Sequence, residues 1–496
     1  MSTRFALLGD ARATVYGGTS YVNHAVGSVL KKHFETEGAA QKDDAIFCFS
    51  EWTHATGRRR CFLDHGSFAD GSYWAWIAPQ LRTDDAIIVS SRVCEQVADR
   101  MLESPRPAIH LVPYFADTDV FVPADDRDLR RRQLGARLGL SPEVPWLLAV
   151  SSFDRRKNIH LAVRFLRALD THVPGTVLLI LGSRSEGPGR EEYAGAVEQG
   201  ASSLGVEERV RFLDPMPHES LSRLMAASDL LVHFSNCRLE NFGLVVAEAL
   251  ASGLPIVAAD WGGLRDLVEH GRTGFLAPTY LSDQGPRTVW PDVVAPAAEL
   301  LLNRERWAAF SRSAREYAVL RLAPNVFETR LVRALTEISA PRPHVRAAVR
   351  RTRAAEDLAF AVYRSQIRGG PRRSTGAEFR ELISLDGGAH YRQLAGFAAS
   401  QESPPVLDPR SPVFAIVPVR IEGTDLVVTD AAWPTRIPMP APDDPLRALV
   451  QHATNRFAAP FSIRDVSGDP EALISAAQQL VDWGVFAQPG VPLRST

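Results

Sequence analysis

Short, almost wholly apolar runs alternate along this chain with longer stretches whose apolar positions recur at helical spacing. Phe5 to Leu8, Ala45 to Phe49, Cys61 to Leu63, Ala86 to Val89 and Ile109 to Val112 lack the polar alternation of a half-exposed strand. They read as strands buried on both faces. Between them, a helix opening at Tyr16-Gly17-Gly18-Thr19 places Val22, Ala25, Val26, Val29 and Leu30 on one face, and Cys94 to Met101 reads as another helix. This alternation predicts a small doubly wound parallel sheet. Asp125 to Arg137, with Arg130, Arg131 and Arg132 in a run, reads as a solvated linker helix. The alternation then restarts, with strands at Trp146–Val150, Val177–Leu181, Val210–Leu213, Leu230–His233, Ile256–Ala259 and Gly274–Leu276, and a closing helix at Val326–Ile338. The expected fold class is α/β: two Rossmann-like units, residues 1–122 and 145–340, joined by a linker over 123–144.

Beyond Pro341 the pattern changes. Over 341–400, Arg346, Arg350, Arg351, Arg353, Arg364, Arg368, Arg372 and Arg373 interleave with Val349, Leu358, Phe360 and Val362. This basic helical segment reads as a solvated face packed on the body, or alternatively as a surface for an anionic acceptor such as a lipid phosphate. Residues 401–496 open with a Pro-rich linker, Ser403 to Pro412. A hairpin of Val413–Val419 and Asp425–Thr429 about Gly423 follows, then helices near Pro445–His452 and Glu471–Trp483. The expectation is a small α+β module, winged-helix-like, that takes a peptide or protein partner.

The densest chemistry lies between Asp229 and Pro278. After the apolar run Leu230 to Phe234 comes Asn236-Cys237-Arg238-Leu239-Glu240-Asn241-Phe242-Gly243, and then a helical stretch through Glu248 to Leu250. The backbone N–H groups of Asn241, Phe242 and Gly243 sit where a helix starts, have no intrahelical partner, and with the helix dipole form an anion site. A diphosphate lying there sends its sugar one way and its ribose the other. Glu240 can accept from the sugar hydroxyls. Glu248, about 11 Å further along the axis at 1.5 Å per residue, can accept from the ribose. Spacing alone does not separate this from an ordinary solvated helix surface.

The wider segment does. Glu240 to Leu250, followed by Ala251-Ser252-Gly253-Leu254-Pro255-Ile256-Val257 and Gly271-Arg272-Thr273-Gly274-Phe275-Leu276, resembles the nucleotide-sugar half of the retaining GT-B glycosyltransferases of family 4. The motif is two glutamates separated by seven residues, with an aromatic residue and Gly-Leu after the first. The resemblance implies two facing Rossmann-like domains, a nucleotide diphosphate sugar as donor, Glu240 on the donor sugar and Glu248 on the ribose, with Asn241 to Leu244 between them.

The same resemblance bears on three weaker signals. Gly17 and Gly18, by themselves a turn, correspond to a Gly-Gly loop facing the donor phosphates. His65, at a strand end where ligands collect in open α/β sheets, corresponds to a histidine facing the donor sugar. In Ser151-Ser152-Phe153-Asp154-Arg155-Arg156-Lys157-Asn158, many family members carry an arginine near Ser152 and a lysine at Lys157. This chain keeps the lysine and offers Arg156 or Arg155 for the arginine, as in a subgroup reading "PRKN". Cations there suit a leaving diphosphate. Asp117-Thr118-Asp119 looks like a metal motif, but its surroundings resemble the family's "PNGVDTxxF" segment, and it reads as an Asx-type turn.

Composition changes this picture little. The chain is 45% hydrophobic and 23% charged, with a formal net charge of −2, ordinary globular values without a strong nucleic-acid signal. Cys48, Cys61, Cys94 and Cys237 show no metal-ligand spacing and fit a reducing compartment. There is neither a signal-peptide pattern nor a transmembrane run. The expectation is a cytoplasmic protein, or one peripheral at the membrane surface, that needs no cofactor and no metal. It would move a sugar from a nucleotide sugar to a hydroxyl of a glycan, lipid-linked or peptide acceptor. A non-catalytic sugar-nucleotide binder or complex scaffold is the alternative. Epimerases and glycan phosphorylases also pair two Rossmann-like domains but account less well for the Asn236 to Leu250 segment.

Overall fold

The computed structural model describes residues 5–8, 18–36, 45–48, 59–63, 81–184, 189–236, 240–282, 285–338, 348–349, 404–417, 419–423, 425–430, 433–438, 444–454 and 460–488. The basic segment expected over 341–400 lies outside them except for two residues.

The first apolar runs form a five-stranded parallel sheet of β1 (Phe5–Leu8), β2 (Ala45–Cys48), β3 (Arg60–Leu63), β4 (Ala86–Val89) and β6 (Ala108–Leu111). β5 (Leu102–Glu103) lies outside it and pairs with a two-residue strand at Ala348–Val349. Helix α1 (Gly18–His33) and helix α2 (Arg92–Met101) flank the sheet. Its strand order, β1-β2-β3-β4-β6, runs from one edge to the other without reversal. The doubly wound arrangement expected here is therefore corrected. Apolar periodicity reports that strands are buried, but neighbour order depends on contacts between segments far apart in sequence.

The second sheet has the reversal. β7 (Trp146–Val150), β8 (Val177–Leu181) and β9 (Val210–Leu213) spread one way, and β10 (Leu230–His233), β11 (Ile256–Ala259) and β12 (Gly274–Ala277) the other, in the order β12-β11-β10-β7-β8-β9. All neighbours are parallel. β7 and β10 are adjacent but their connections diverge, which opens a crevice at their carboxyl ends where ligands bind in open α/β sheets.

The linker helix, α3 (Arg127–Leu138), is capped by Asp126 and closed by Gly139 in the left-handed region. It is not solvated all round, as expected from its arginine run. Arg131 is buried and, with Arg127, grips Asp229, whose carboxylate lies 2.7 Å from Arg127 Nη2 and 2.8 Å from Arg131 Nη1 and also accepts from Trp146 N–H. The Arg131 guanidinium also stacks over the Trp146 ring at 4.2 Å. Helical spacing turned one arginine of the run inward and left Arg132 exposed.

Helices α4 (Ile159–Leu169), α5 (Arg190–Ser203), α6 (His218–Ala227), α7 (Leu244–Ala251), the single turn α8 (Leu264–Leu267), α9 (Val294–Leu302) and α10 (Arg304–Arg321) complete the second unit. The closing helix, α11 (Pro324–Ile338), crosses back to the first: Phe327 packs on Phe115 at 4.9 Å, and Glu328 pairs with Lys32 at 2.7 Å.

An antiparallel hairpin, β13 (Thr279–Ser282) and β14 (Gly285–Thr288), projects from the second sheet. With Ala348–Val349 as β15, the C-terminal strands are β16 (Phe414–Ala415), β17 (Val419–Glu422), β18 (Asp425–Asp430), β19 (Trp433–Pro438) and β20 (Phe486–Ala487). They form a β17-β18-β19 meander and a β16-β20 pair, with helices α12 (Pro445–Thr454) and α13 (Pro470–Asp482). The expected strand Val413–Val419 is thus two pieces: β16 pairs with the distant β20, and only its last residue joins the hairpin.

This module has its own core around Leu426, Leu449, Val450, Leu480 and Phe486, and it docks on the β13–β14 hairpin. Tyr280, fully buried, puts its hydroxyl 3.2 and 3.1 Å from the carbonyls of Val481 and Phe486. Tyr280 and Val289 pack with Phe414, Ile416 and Ala487, and Arg287 Nε donates to the Gly484 carbonyl at 3.2 Å.

Candidate functional site

The loops leaving β7 and β10, at the reversal of strand order, meet at Lys157 and Glu240. Lys157 Nζ lies 2.6 Å from Glu240 Oε2, and Glu240 is 8% exposed. Burial pushes the Glu240 carboxyl up, but the Lys157 ammonium and the neighbouring His233 outweigh it and hold the group well below the usual carboxylate range. His233 ends β10, is itself buried, and sets Nε2 3.7 Å from Glu240 Oε2, too far for a hydrogen bond.

After Glu240 the backbone passes Asn241 and Phe242 to Gly243, which stands at φ +95° as the N-cap of α7. A Cβ there would come within 2.6 Å of Leu264, and φ lies where only glycine is unstrained. The loop after β11 supports this turn. Gly263 N–H donates to the Glu240 carbonyl at 3.0 Å, and a Cβ on Gly262 or Gly263 would collide with the carbonyl oxygens of Glu240 or Asn241. α7 then starts at Leu244, where the first N–H groups of a helix have no intrahelical partner, and Glu248 lies one turn before its end. Burial raises the Glu248 carboxyl to about 8.

The first sheet contributes from the opposite wall. Asn241 Nδ2 donates to Ser90 Oγ at 2.8 Å, Arg92 N–H at the start of α2 donates to Asp266 at 2.7 Å, and Tyr114 packs against Phe242 at 5.3 Å. Tyr21 of α1 lies close enough to Asp117 and Glu248 for both to add to the rise that burial causes in its phenol pKa. Asp117 Oδ1 accepts from the N–H groups of Asp119 and Val120 at 3.1 and 3.2 Å, the Asx-type turn expected there.

Of the residues singled out from the sequence, the structure sets Lys157 against Glu240, and Asn241, Phe242 and Gly243 lead from there into α7, which carries Leu244 and Glu248. Arg155 points elsewhere, reaching Glu192 of α5 at 2.9 Å. Gly18 is the first residue of α1. Gly17, His65 and the side chain of Arg156 lie outside the described residues. Three features escaped the sequence reading: His233, Gly262-Gly263, and the amide pair Asn158 and Asn236. A polar residue ending a strand at the point of reversal, and a glycine pair in the loop that follows a strand, are the signals that could have found the first two. Among the described residues, no group of three or more His, Cys, Asp or Glu side chains is placed to hold a metal, and no helix is long and apolar enough to cross a membrane.

Two facing parallel sheets, the second with its charged site at the reversal, define the GT-B class of fold. Anabaena HepE, solved in complex with UDP-glucose, shares it at a TM-score of 0.52 and 18% identity, over 68% of this chain and 100% of that one. Residues 131–288 match the family "Glycosyl transferases group 1". The D-inositol 3-phosphate glycosyltransferase of Mycobacteroides abscessus is 35% identical over 237 residues, 47% of this chain and 48% of the relative. The N-acetyl-alpha-D-glucosaminyl L-malate synthase of Bacillus anthracis is 30% identical over 215 residues, 43% of this chain and 50% of the relative. The chain spans about half the length of the curated relatives it matches.

Proposed function

We propose that this protein transfers a sugar from a nucleotide diphosphate sugar to an acceptor hydroxyl, with retention of anomeric configuration and without a metal ion. The observation that carries the reading is the Lys157–Glu240 pair at 2.6 Å, beside the start of α7 and at the reversal of strand order. In this reading the diphosphate lies on the N–H groups at the start of α7. Glu240 orients the sugar hydroxyls, and Glu248 holds the ribose. Lys157, with Arg156 as a second cation, neutralises the charge that grows on the phosphate oxygen as its bond to the anomeric carbon breaks. The acceptor oxygen forms the new bond on the same face, and its proton passes to the departing phosphate. The protein supplies position and charge.

Thermal stabilisation tests this. Wild type and Glu248→Ala are heated with UDP, GDP, ADP and dTDP sugars; a ligand bound by the native state alone raises the midpoint by mass action. The reading expects one nucleotide family to stabilise wild type and to lose its effect in Glu248→Ala. No shift with any of them at millimolar concentration would overturn it in favour of a non-catalytic scaffold.

A further inference from the structure

Side-chain hydrogen bonds and sequence neighbours link the docking site of the C-terminal module to the Lys157–Glu240 pair. Asn158 is the one described non-glycine residue at positive φ, +53°. Asparagine tolerates that region better than most residues, but it holds there only when the surroundings enforce it. Here they do. Its amide Nδ2 donates to the Phe234 carbonyl at 3.2 Å and to Asn236 Oδ1 at 2.7 Å. Asn236, 7% exposed, donates from its own Nδ2 to the Pro286 carbonyl at 3.2 Å. Pro286 is in β14, beside Arg287, which binds the Gly484 carbonyl, and the facing strand carries Tyr280, which the module buries.

From these contacts we infer that Asn236 is a positioning residue for the Lys157–Glu240 pair and that the docked C-terminal module braces it through the β13–β14 hairpin. Asn158 directly follows Lys157, so its left-handed backbone sets the direction in which the lysine leaves the loop after β7. Asn236 lies four residues before Glu240, and its anchor on Pro286 fixes the chain just after β10. The amide pair ties the two loops together. Since the pair adds no charge, it acts through geometry, and its loss lets the cation and carboxylate drift apart while leaving the rest of the donor surface in place. The inference rests on the function proposed above only for its kinetic consequence; the geometric part stands apart from it.

The test compares full-length wild type, Asn236→Ala, Asn158→Gly and Tyr280→Phe. Asn158→Gly keeps the positive φ and removes only the amide, so it serves if Asn236→Ala does not fold. Backbone hydrogen exchange over 155–160 and 240–243 needs no ligand, and faster exchange at both segments is expected in Asn236→Ala and Asn158→Gly. In kinetics with whichever UDP, GDP, ADP or dTDP sugar wild type turns over, kcat falls about 10²-fold, the scale of a small misplacement of reacting groups. KM for the donor changes far less. Tyr280→Phe gives a smaller effect in the same direction. Wild-type exchange and wild-type kcat in both asparagine variants would overturn the inference. A loss confined to KM would overturn it as well, because that marks a binding contact and not a positioning one. A wild type that turns over none of these sugars would count against the proposed function alone, and the exchange comparison would still decide the role of Asn236.

Discussion

At the residue scale, the site separates two carboxylates by environment. Glu240 has a cation at 2.6 Å and stays ionised, whereas Glu248 is raised by burial to about 8. In the proposed reaction Lys157 is the charge nearest the leaving phosphate, and its replacement with alanine should lower turnover by roughly a hundredfold or more, the scale of losing one preorganised stabilising group. Turnover near wild type would exclude Lys157 from that role. The two carboxylates also affect stability in opposite senses. Glu240, depressed, contributes stability that is present above the ordinary carboxylate range and is lost as pH falls through its folded value. Glu248, raised, binds its proton more tightly folded than unfolded, so its contribution is present at acid pH and is lost as pH rises from the ordinary carboxylate range through about 8. Glu248→Gln should therefore flatten the decline of the ligand-free unfolding midpoint between pH 5 and 9, which a thermal series across that range will show; an unchanged decline would place the responsible group elsewhere.

At the element scale, the turn into α7 is fixed from outside. Gly243 makes the left-handed entry, and Gly262-Gly263 press against the Glu240 and Asn241 carbonyls too closely for any side chain. Gly263→Ala should displace the loop before α7 and weaken nucleotide-sugar binding by at least tenfold, about 1.4 kcal/mol, with little change in far-ultraviolet circular dichroism. Isothermal titration with the stabilising donor measures the first and the spectrum checks the second. Undiminished affinity would mean that the loop adjusts around the methyl group.

At the scale of the whole molecule, three bodies share contacts that no single segment could specify. The linker helix is fastened to the second sheet by Arg127 and Arg131 on Asp229, which also caps the start of β7 through Trp146 N–H. Asp229→Ala would leave a buried guanidinium uncompensated, and a cost of about 3–5 kcal/mol is expected from chemical denaturation. A cost under 1 kcal/mol would show that water reaches the cluster. Across the crevice, Asn241 on Ser90 and Asp266 on the first N–H of α2 join the two sheets, the first of them next to Glu240. Closure of the domains and placement of Glu240 are thus parts of one arrangement.

The chain's own pattern determined that there are two parallel-sheet units and a separate C-terminal module, because a strand buried on both faces must be apolar at every position and a helix must carry its stripe at 3.6-residue spacing. The candidates Lys157, Glu240 and Glu248 came from the resemblance of their two segments to a known family, since spacing alone did not separate them from ordinary surface charges. The pattern did not determine that the first sheet runs in chain order, that Arg131 turns inward, that α11 returns to the first unit, or that β16 leaves the expected hairpin for β20. Those depend on pairings between residues far apart in sequence, for which local periodicity carries no information. The amide pair makes the same point at the site. Nothing in the local sequence of Asn158 or Asn236 marks either one, and only the fold brings them within 2.7 Å of each other, with Pro286 beyond. Tertiary structure therefore decided which polar residues near the site hold it in shape, because that role depends on distance in space.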